Sequence, residues 1–254
     1  MTSNISLELL PKVARITLNH PPLNVITLQM TEELAQSIAE VDRRREISTV
    51  LIQGNGGSFS AGVSVAIHTP QHVPTMLEKF HGIIRAVVNS QKVFVAAVRG
   101  NCLGGGAELA MVCDLVYTTK SAKWGFPEIT LGCYPPVACT ALAALIGPKR
   151  AAELVLTGRH ISGREAANIG LANLALADYK LNVTVENILK QISTMSPSSL
   201  ALTKKASYGW DAMHFDKGLA RAEKIYLEEL MNTDDAQEGV AAFLAKRNPV
   251  WKAK

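Results

Sequence analysis

Glu108 sits in the stretch Asn101-Cys102-Leu103-Gly104-Gly105-Gly106-Ala107-Glu108-Leu109-Ala110, where three consecutive glycines precede a carboxylate in apolar company. A carboxylate in such a setting is costly unless it is paired or used. The glycines stand where the apolar run 93–98, which reads as a buried strand, hands over to a short buried helix marked by Ala107, Leu109, Ala110, Met111 and Val112. Glycine serves where a backbone must bend sharply or come close to a ligand. The first N–H groups of a helix are unpaired and carry the positive end of its dipole. A Gly-rich helix start can therefore hold an anion, or an oxygen that becomes one during reaction. The spacing is neither the G-x-G-x-x-G of dinucleotide sites nor a P-loop. By itself it also fits a tight turn into a packed helix, with Glu108 reaching solvent.

Two further stretches bear on that choice. Gly57-Ser58-Phe59-Ser60-Ala61-Gly62-Val63-Ser64-Val65 follows another strand-like run, 49–53, and repeats the order strand, small-residue loop, helix. Two such loops could each donate a backbone N–H to one oxygen. Trp124-Gly125-Phe126-Pro127-Glu128 places a second acid after an aromatic-flanked turn. An oxyanion site with two carboxylates suits chemistry next to a thioester carbonyl.

Other chemistries find less support. The six histidines form no metal-ligand pattern. The four cysteines, Cys102, Cys113, Cys133 and Cys139, lack a C-x-x-C pair and have apolar flanks, so buried, reduced thiols are expected. The net charge is +4, with Arg43-Arg44-Arg45 the only tight basic run, and nothing resembles a nucleic-acid module. Gly62-Val63-Ser64-Val65-Ala66 lacks the last glycine of a nucleophile elbow, which disfavours a serine hydrolase. With 254 residues, 48% hydrophobic and 19% charged, the chain has the composition of an ordinary globular protein. No apolar run approaches a membrane span, and residues 1–4 carry no signal pattern, so a cytoplasmic setting is expected.

Phe59–Gly62 (FSAG), Leu103–Ala110 (LGGGAELA), Cys113–Tyr117 (CDLVY) and Gly125–Ile129 (GFPEI), in that order and spacing, resemble the crotonase (enoyl-CoA hydratase/isomerase) family. The resemblance runs from about Val13 to Arg247. It implies an α/β fold, a crotonase-like ββα spiral over 1–192 carrying the CoA thioester site, and a C-terminal helical region over 193–254 that packs in a homotrimer or dimer of trimers. It implies an acyl-CoA thioester as substrate, with no cofactor because the CoA belongs to the substrate, and no metal. It assigns the oxyanion hole to the N–H groups of Ala61 and Gly105. Glu108 and Glu128 match the two acids of the hydratases, one taking a proton from water and the other giving one to the α-carbon. Ala61, Gly62, Val63, Ser64, Leu103, Gly104 and Gly105 would lie against the thioester.

Two departures stand out. Ser64 occupies the place of a usual Asp and cannot serve as a carboxylate base. The segment after Glu128 reads Leu131-Gly132-Cys133-Tyr134-Pro135-Pro136-Val137-Ala138-Cys139. This segment, together with Ser60-Ala61-Gly62-Val63, His68-Thr69-Pro70 and Asn248-Pro249-Val250-Trp251-Lys252, resembles the branch of the family that hydrates cyclohexa-1,5-diene-1-carbonyl-CoA. Pro135 and Pro136 would stiffen an acyl pocket shaped for a ring. A general short-chain hydratase, an isomerase, a thioesterase and a non-catalytic acyl-CoA-binding protein are the alternatives.

Periodicity gives the remaining elements. Strands are expected at 13–18, 49–53, 93–98 and 115–117. Helices are expected at 31–41, 76–87, 149–156, 178–192, 198–208, 217–230 and 235–247, and after the capping pattern Ser162-x-x-Glu165.

Overall fold

The computed structural model describes residues 3–207 and 214–251. Its centre is a six-stranded sheet. A hairpin of β1 (Ile5–Leu10) and β2 (Val13–Leu18) starts it, and β3 (Thr49–Gly54), β4 (Val93–Val98), β6 (Leu115–Thr119) and β9 (Leu174–Leu176) continue it in parallel. A smaller sheet holds β5 (Asn101–Leu103), β7 (Lys123–Gly125) and β8 (Ile161–Ser162). The chain visits both layers in succession. β4 lies in the large sheet and β5 in the small one, then α3 (Gly105–Met111) follows; β6 and β7 repeat the step. This is the stacked ββα turn expected from the resemblance.

Every residue of β4 is buried, as a central strand of a covered parallel sheet requires. One sheet face packs under α1 (Leu28–Arg43) and α2 (Val73–Asn89), whose apolar stripes include Leu34, Ile38, Phe80 and Ile84. The other face packs against Leu181, Val185 and Leu189 of α7 (Asp178–Ser193). In chain order, α4 (Pro136–Ile146), α5 (Pro148–Thr157) and α6 (Gly163–Asn168) come between α3 and α7. Ser162 Oγ accepts from Glu165 N–H, so the capping pattern starts α6 as read.

Beyond residue 193 the described residues are helical without a strand: α8 (Pro197–Ser207), α9 (Phe215–Glu228) and α10 (Asp234–Leu244). The expected end of α8 at Tyr208 lies outside the described residues. Thr233 caps α10, its Oγ1 accepting from Ala236 N–H at 3.1 Å. Phe215 and Leu219 bury α9 against α4 in the main core, and Tyr226 packs with Val73, Met76, Leu77 and Cys133.

Several expectations need correction. β1 precedes the strand expected to be first. The helix expected directly after the 57–65 loop is one 3₁₀ turn, Val65–Ile67, and α2 starts only at Val73. α4 was not anticipated. Cys102, Cys113 and Cys133 are buried free thiols, whereas Cys139 is exposed on α4.

Candidate active site

The two glycine loops meet backbone to backbone. Ser60 pairs with Cys102 in an isolated parallel bridge, with Ser60 N–H donating to Asn101 O at 2.9 Å and Leu103 N–H to Ser60 O at 3.0 Å. A Cβ on Gly62 would lie 2.9 Å from Leu103 O, and one on Gly106 would lie 2.7 Å from Ser60 Cβ. Gly62 also has φ of +99°, a conformation that side chains disfavour. The glycines are thus required by contact between the loops, and that contact brings their amides to one place.

Hydrogen bonds decide which amides are free. Ala61 N–H donates to Leu23 O at 2.8 Å, Gly62 N–H to Ser60 Oγ at 3.1 Å, and Ser64 N–H to Ile26 O at 2.9 Å. Val63 N–H and Gly105 N–H have no acceptor among the described residues. The donor expected at Ala61 is therefore corrected: its N–H is already engaged, and the free amide of that loop belongs to Val63.

Both loops open on a cavity of about 290 Å³. Ala61, Gly62, Val63, Leu103, Gly104, Gly105, Pro135 and Pro136 line it, together with Glu108 and Glu128. Ser64 is not in its wall: its N–H is bound to Ile26 and its carbonyl lies 2.9 Å from His68 Nδ1. Sequence reasoning missed His81, Tyr226, His160 and Phe243, which also line the cavity. For His81 a signal was present, because it shares the buried face of α2 with Leu77 and Ile84.

The acids differ in their surroundings. Glu108 lies in the first turn of α3 and is 3% exposed. Its Oε1 accepts from Val137 N–H at 2.8 Å and Ala138 N–H at 3.0 Å, at the start of α4. Pro136 begins that helix without an N–H, so the first available donors of α4 are the two amides that hold Glu108. Burial pushes the Glu108 carboxyl above its usual range, while the charge of His81 and these two hydrogen bonds pull it back. Glu128 sits in a 3₁₀ turn, Pro127–Leu131, and its Oε2 is buried with no hydrogen-bond partner. Burial, and then the charge of Glu108, push Glu128 well above the ordinary carboxylate range. Its Oε1 would lie 2.7 Å from a Cβ on Gly104.

This arrangement separates a carboxyl group held by two amides from one whose buried oxygen has no partner and whose charge is more strongly opposed. Such a pair can deprotonate at one position and protonate at another. Two free amides stand at the same cavity, suited to an oxygen that gains charge. Among the described residues no group of three or more His, Cys, Asp or Glu is arranged to hold a metal. No helix among them is long and apolar enough to cross a membrane.

Residues 10–254 match the family model described as enoyl-CoA hydratase/isomerase. The chain is 34% identical over 238 residues to the cyclohexa-1,5-dienecarbonyl-CoA hydratase of Thauera aromatica, covering 94% of this chain and 92% of that protein. It is 31% identical over 253 residues to the short-chain-enoyl-CoA hydratase of Clostridium acetobutylicum, covering 96% of each. An enoyl-CoA hydratase/isomerase from Xanthobacter autotrophicus Py2 superposes with a TM-score of 0.87 at 28% identity, over 98% of both chains. An enoyl-CoA hydratase from Mycobacterium avium subsp. paratuberculosis K-10 shares the fold with a TM-score of 0.89 at 23% identity, over 99% of this chain and 100% of that one. With the family model, the relatives and the fold in agreement, the chain belongs to the enoyl-CoA hydratase/isomerase family and is an enzyme of the hydro-lyase type.

Proposed function

We propose that the protein adds water across the conjugated double bond of an enoyl-CoA thioester, with cyclohexa-1,5-diene-1-carbonyl-CoA the favoured substrate. The observation that carries the reading is the pairing of buried Glu108 with Glu128, whose Oε2 is buried without a partner, at the cavity that the free amides of Val63 and Gly105 also line. The thioester oxygen sits between those amides and gains charge as the enolate forms. A well-placed donor of this kind is worth roughly 3–4 kcal/mol. Glu108, held by Val137 and Ala138, is the carboxylate that takes a proton from the attacking water. Glu128, whose environment disfavours charge, is the acid that delivers a proton to carbon. The pair titrates as a unit because each charge opposes the other.

Support for the cyclic substrate is the 34% identity to the Thauera protein and the Pro135-Pro136 wall. We propose further that the protein assembles as a homotrimer or a dimer of trimers. Leu156, Tyr179, Val183 and Leu202 are large apolar side chains left more than half exposed in the single chain, which suits burial between copies.

The test compares the cyclic dienoyl-CoA with crotonyl-CoA by mass spectrometry. Gain of water chiefly on the cyclic substrate supports the narrow reading. Gain chiefly on crotonyl-CoA would instead favour a general short-chain hydratase, like the Clostridium relative. Release of free CoA or simple isomerisation, with no water gained, refutes hydration. Glu108→Gln and Glu128→Gln should each abolish most turnover while thioester binding persists.

A further inference from the structure

Glu128 lacks the support that Glu108 has. Val137 and Ala138 donate to Glu108, whereas Oε2 of Glu128 is buried without a partner. Its place therefore depends on the seating of the 3₁₀ turn that carries it, Pro127–Leu131. That turn closes at Gly132, whose N–H donates to Ile129 O at 3.1 Å, and Cys133 N–H donates to the carbonyl of Glu128 itself at 3.1 Å.

α10 rests on this closure backbone to backbone. A Cβ on Gly239 would lie 2.1 Å from Leu131 O, 2.4 Å from Leu131 C and 3.0 Å from Gly132 N. In the other direction, a Cβ on Gly132 would lie 2.7 Å from Asp235 O and 3.2 Å from Ala236 Cα. Alanine is the better residue for a helix interior, so helix formation does not call for glycine at 239. The close approach to Leu131 does. The same helix touches the other 3₁₀ turn, Val65–Ile67, which follows the loop with the free Val63 amide. Its Ala236 is buried in one cluster with Met76, Leu77, Cys133 and Tyr226, against which Val63 packs, and its Phe243 lines the cavity. Gly158, which ends α5, also abuts the catalytic turn, since a Cβ there would lie 3.0 Å from Ile129 Cγ2 and 3.4 Å from Pro127 Cα.

We infer that α10 is a clamp on the turn that carries Glu128, and that Gly239 is a positioning residue for that acid: its contact with the Leu131–Gly132 peptide holds the turn, and with it the carboxyl, at the cavity. The inference rests on the reading of Glu128 as the acid of the proposed hydration. It gives the C-terminal helical region a part in the chemistry, apart from any part in assembly.

Gly239→Ala in the full-length protein is the test. Ordinary contact begins near 3.4 Å, and the added Cβ meets backbone that cannot swing aside. The helix and the turn must part by about 1 Å, so kcat per folded molecule should fall about 10- to 100-fold. A second readout does not depend on turnover: carbon-13 NMR of the glutamate carboxyl groups across pH, with the Glu128 signal identified by its loss in Glu128→Gln. Burial is the first cause that raises this group, so a loosened turn should titrate at lower pH. The other titratable groups that act on it, or on which it acts, are Glu108 on α3, Cys133, Cys139 on α4 and Tyr226 on α9, and the variant leaves all of them in place. Thr233→Ala removes the cap of α10, loosening the first turn that meets Gly132, and should change both readouts in the same direction by less. It serves alone if Gly239→Ala fails to fold. Ser162→Ala, the matched loss of a cap at α6, should lower Tm and leave both readouts where they are. A Glu128 titration unmoved in the folded α10 variants, an unchanged kcat, or equal changes in Ser162→Ala overturns the inference. Turnover failing on every enoyl thioester in the wild type, while the Glu128 signal still moves in the α10 variants alone, overturns the proposed function and upholds the clamp.

Discussion

Replacing Gly104 by Ala tests whether the placement of Glu128, rather than its mere presence, sets the rate. Gly104 has φ of 51° and ψ of −129°, a conformation nearly reserved for glycine. Forcing alanine into it costs of order 1–3 kcal/mol. For a chain of this size each kcal/mol lowers Tm by about 2–4 °C. The added Cβ would also lie 2.7 Å from Glu128 Oε1, well inside ordinary contact. Glu128 must then retreat by several tenths of an ångström. Displacement of a reacting group by about 1 Å can cost about 100-fold in rate, so a loss of about 10- to 100-fold in kcat is expected. Gly147→Ala is the matched control. Gly147 has φ of 84° and ψ of 151°, but its Cβ would meet nothing within 4 Å. It should show a comparable loss of Tm by circular dichroism and an unchanged rate of hydration. If Gly104→Ala loses Tm like the control and keeps its rate, the carboxyl of Glu128 is not held at a catalytic position.

The other expectations concern the same site and the outer surface. An acid whose pKa is raised in the folded state makes that state less stable as pH climbs above the ordinary value of 4.5, and the difference vanishes below it. Thermal melts of Glu128→Gln should therefore match the wild type at low pH and exceed it above that value; a pH-independent difference would contradict the upward shift that burial and the charge of Glu108 give Glu128. An amide-to-ester substitution at Val63 removes the free donor and should lower kcat by about 10²–10³-fold, whereas the same change at Ala61 should weaken only the bond to Leu23 and act on stability. Equal kinetic losses at both positions would reinstate Ala61 as a donor. Light scattering should give a mass three or six times that of the chain, and a monomer at micromolar concentration would refute the assembly.

What the sequence reveals here follows from the range of the interactions involved. The glycine loops and both acids were legible because each lies in a short contiguous motif, and the constraint that selects glycine is local. Choosing between Ala61 and Val63 was beyond the motif, because the amides of Ala61 and Ser64 are claimed by carbonyls of Leu23 and Ile26, far back in the chain. The strands β5 and β7 are only three residues each and exist through pairing with one another. β1 did carry an alternation, Ile5, Leu7, Leu9, that announced it. The helix α4 escaped notice because two prolines open it and apolar residues then surround it, so no amphipathic stripe distinguishes it from a loop wall. His81 was visible as a histidine on an apolar helix face, but its partner Glu223 is brought in from α9 by tertiary packing.

The Pro135-Pro136 segment ties substrate fit to proton transfer. Both prolines line the cavity where the acyl group would lie, and Pro136 starts the helix whose next two amides hold Glu108. A change that reshapes the wall by moving the start of α4 also moves the donors that stabilise the Glu108 carboxylate. Losing those donors would raise Glu108 further toward the neutral form and weaken the contrast with Glu128 on which the chemistry depends. Widening the pocket for another acyl group is therefore best attempted at Met76 or Leu77, which line the cavity from α2 rather than from α4. Variants at those positions should alter the ratio of kcat/KM between cyclic and linear substrates while leaving the pH profile in place. Variants that shift the start of α4 should move both together.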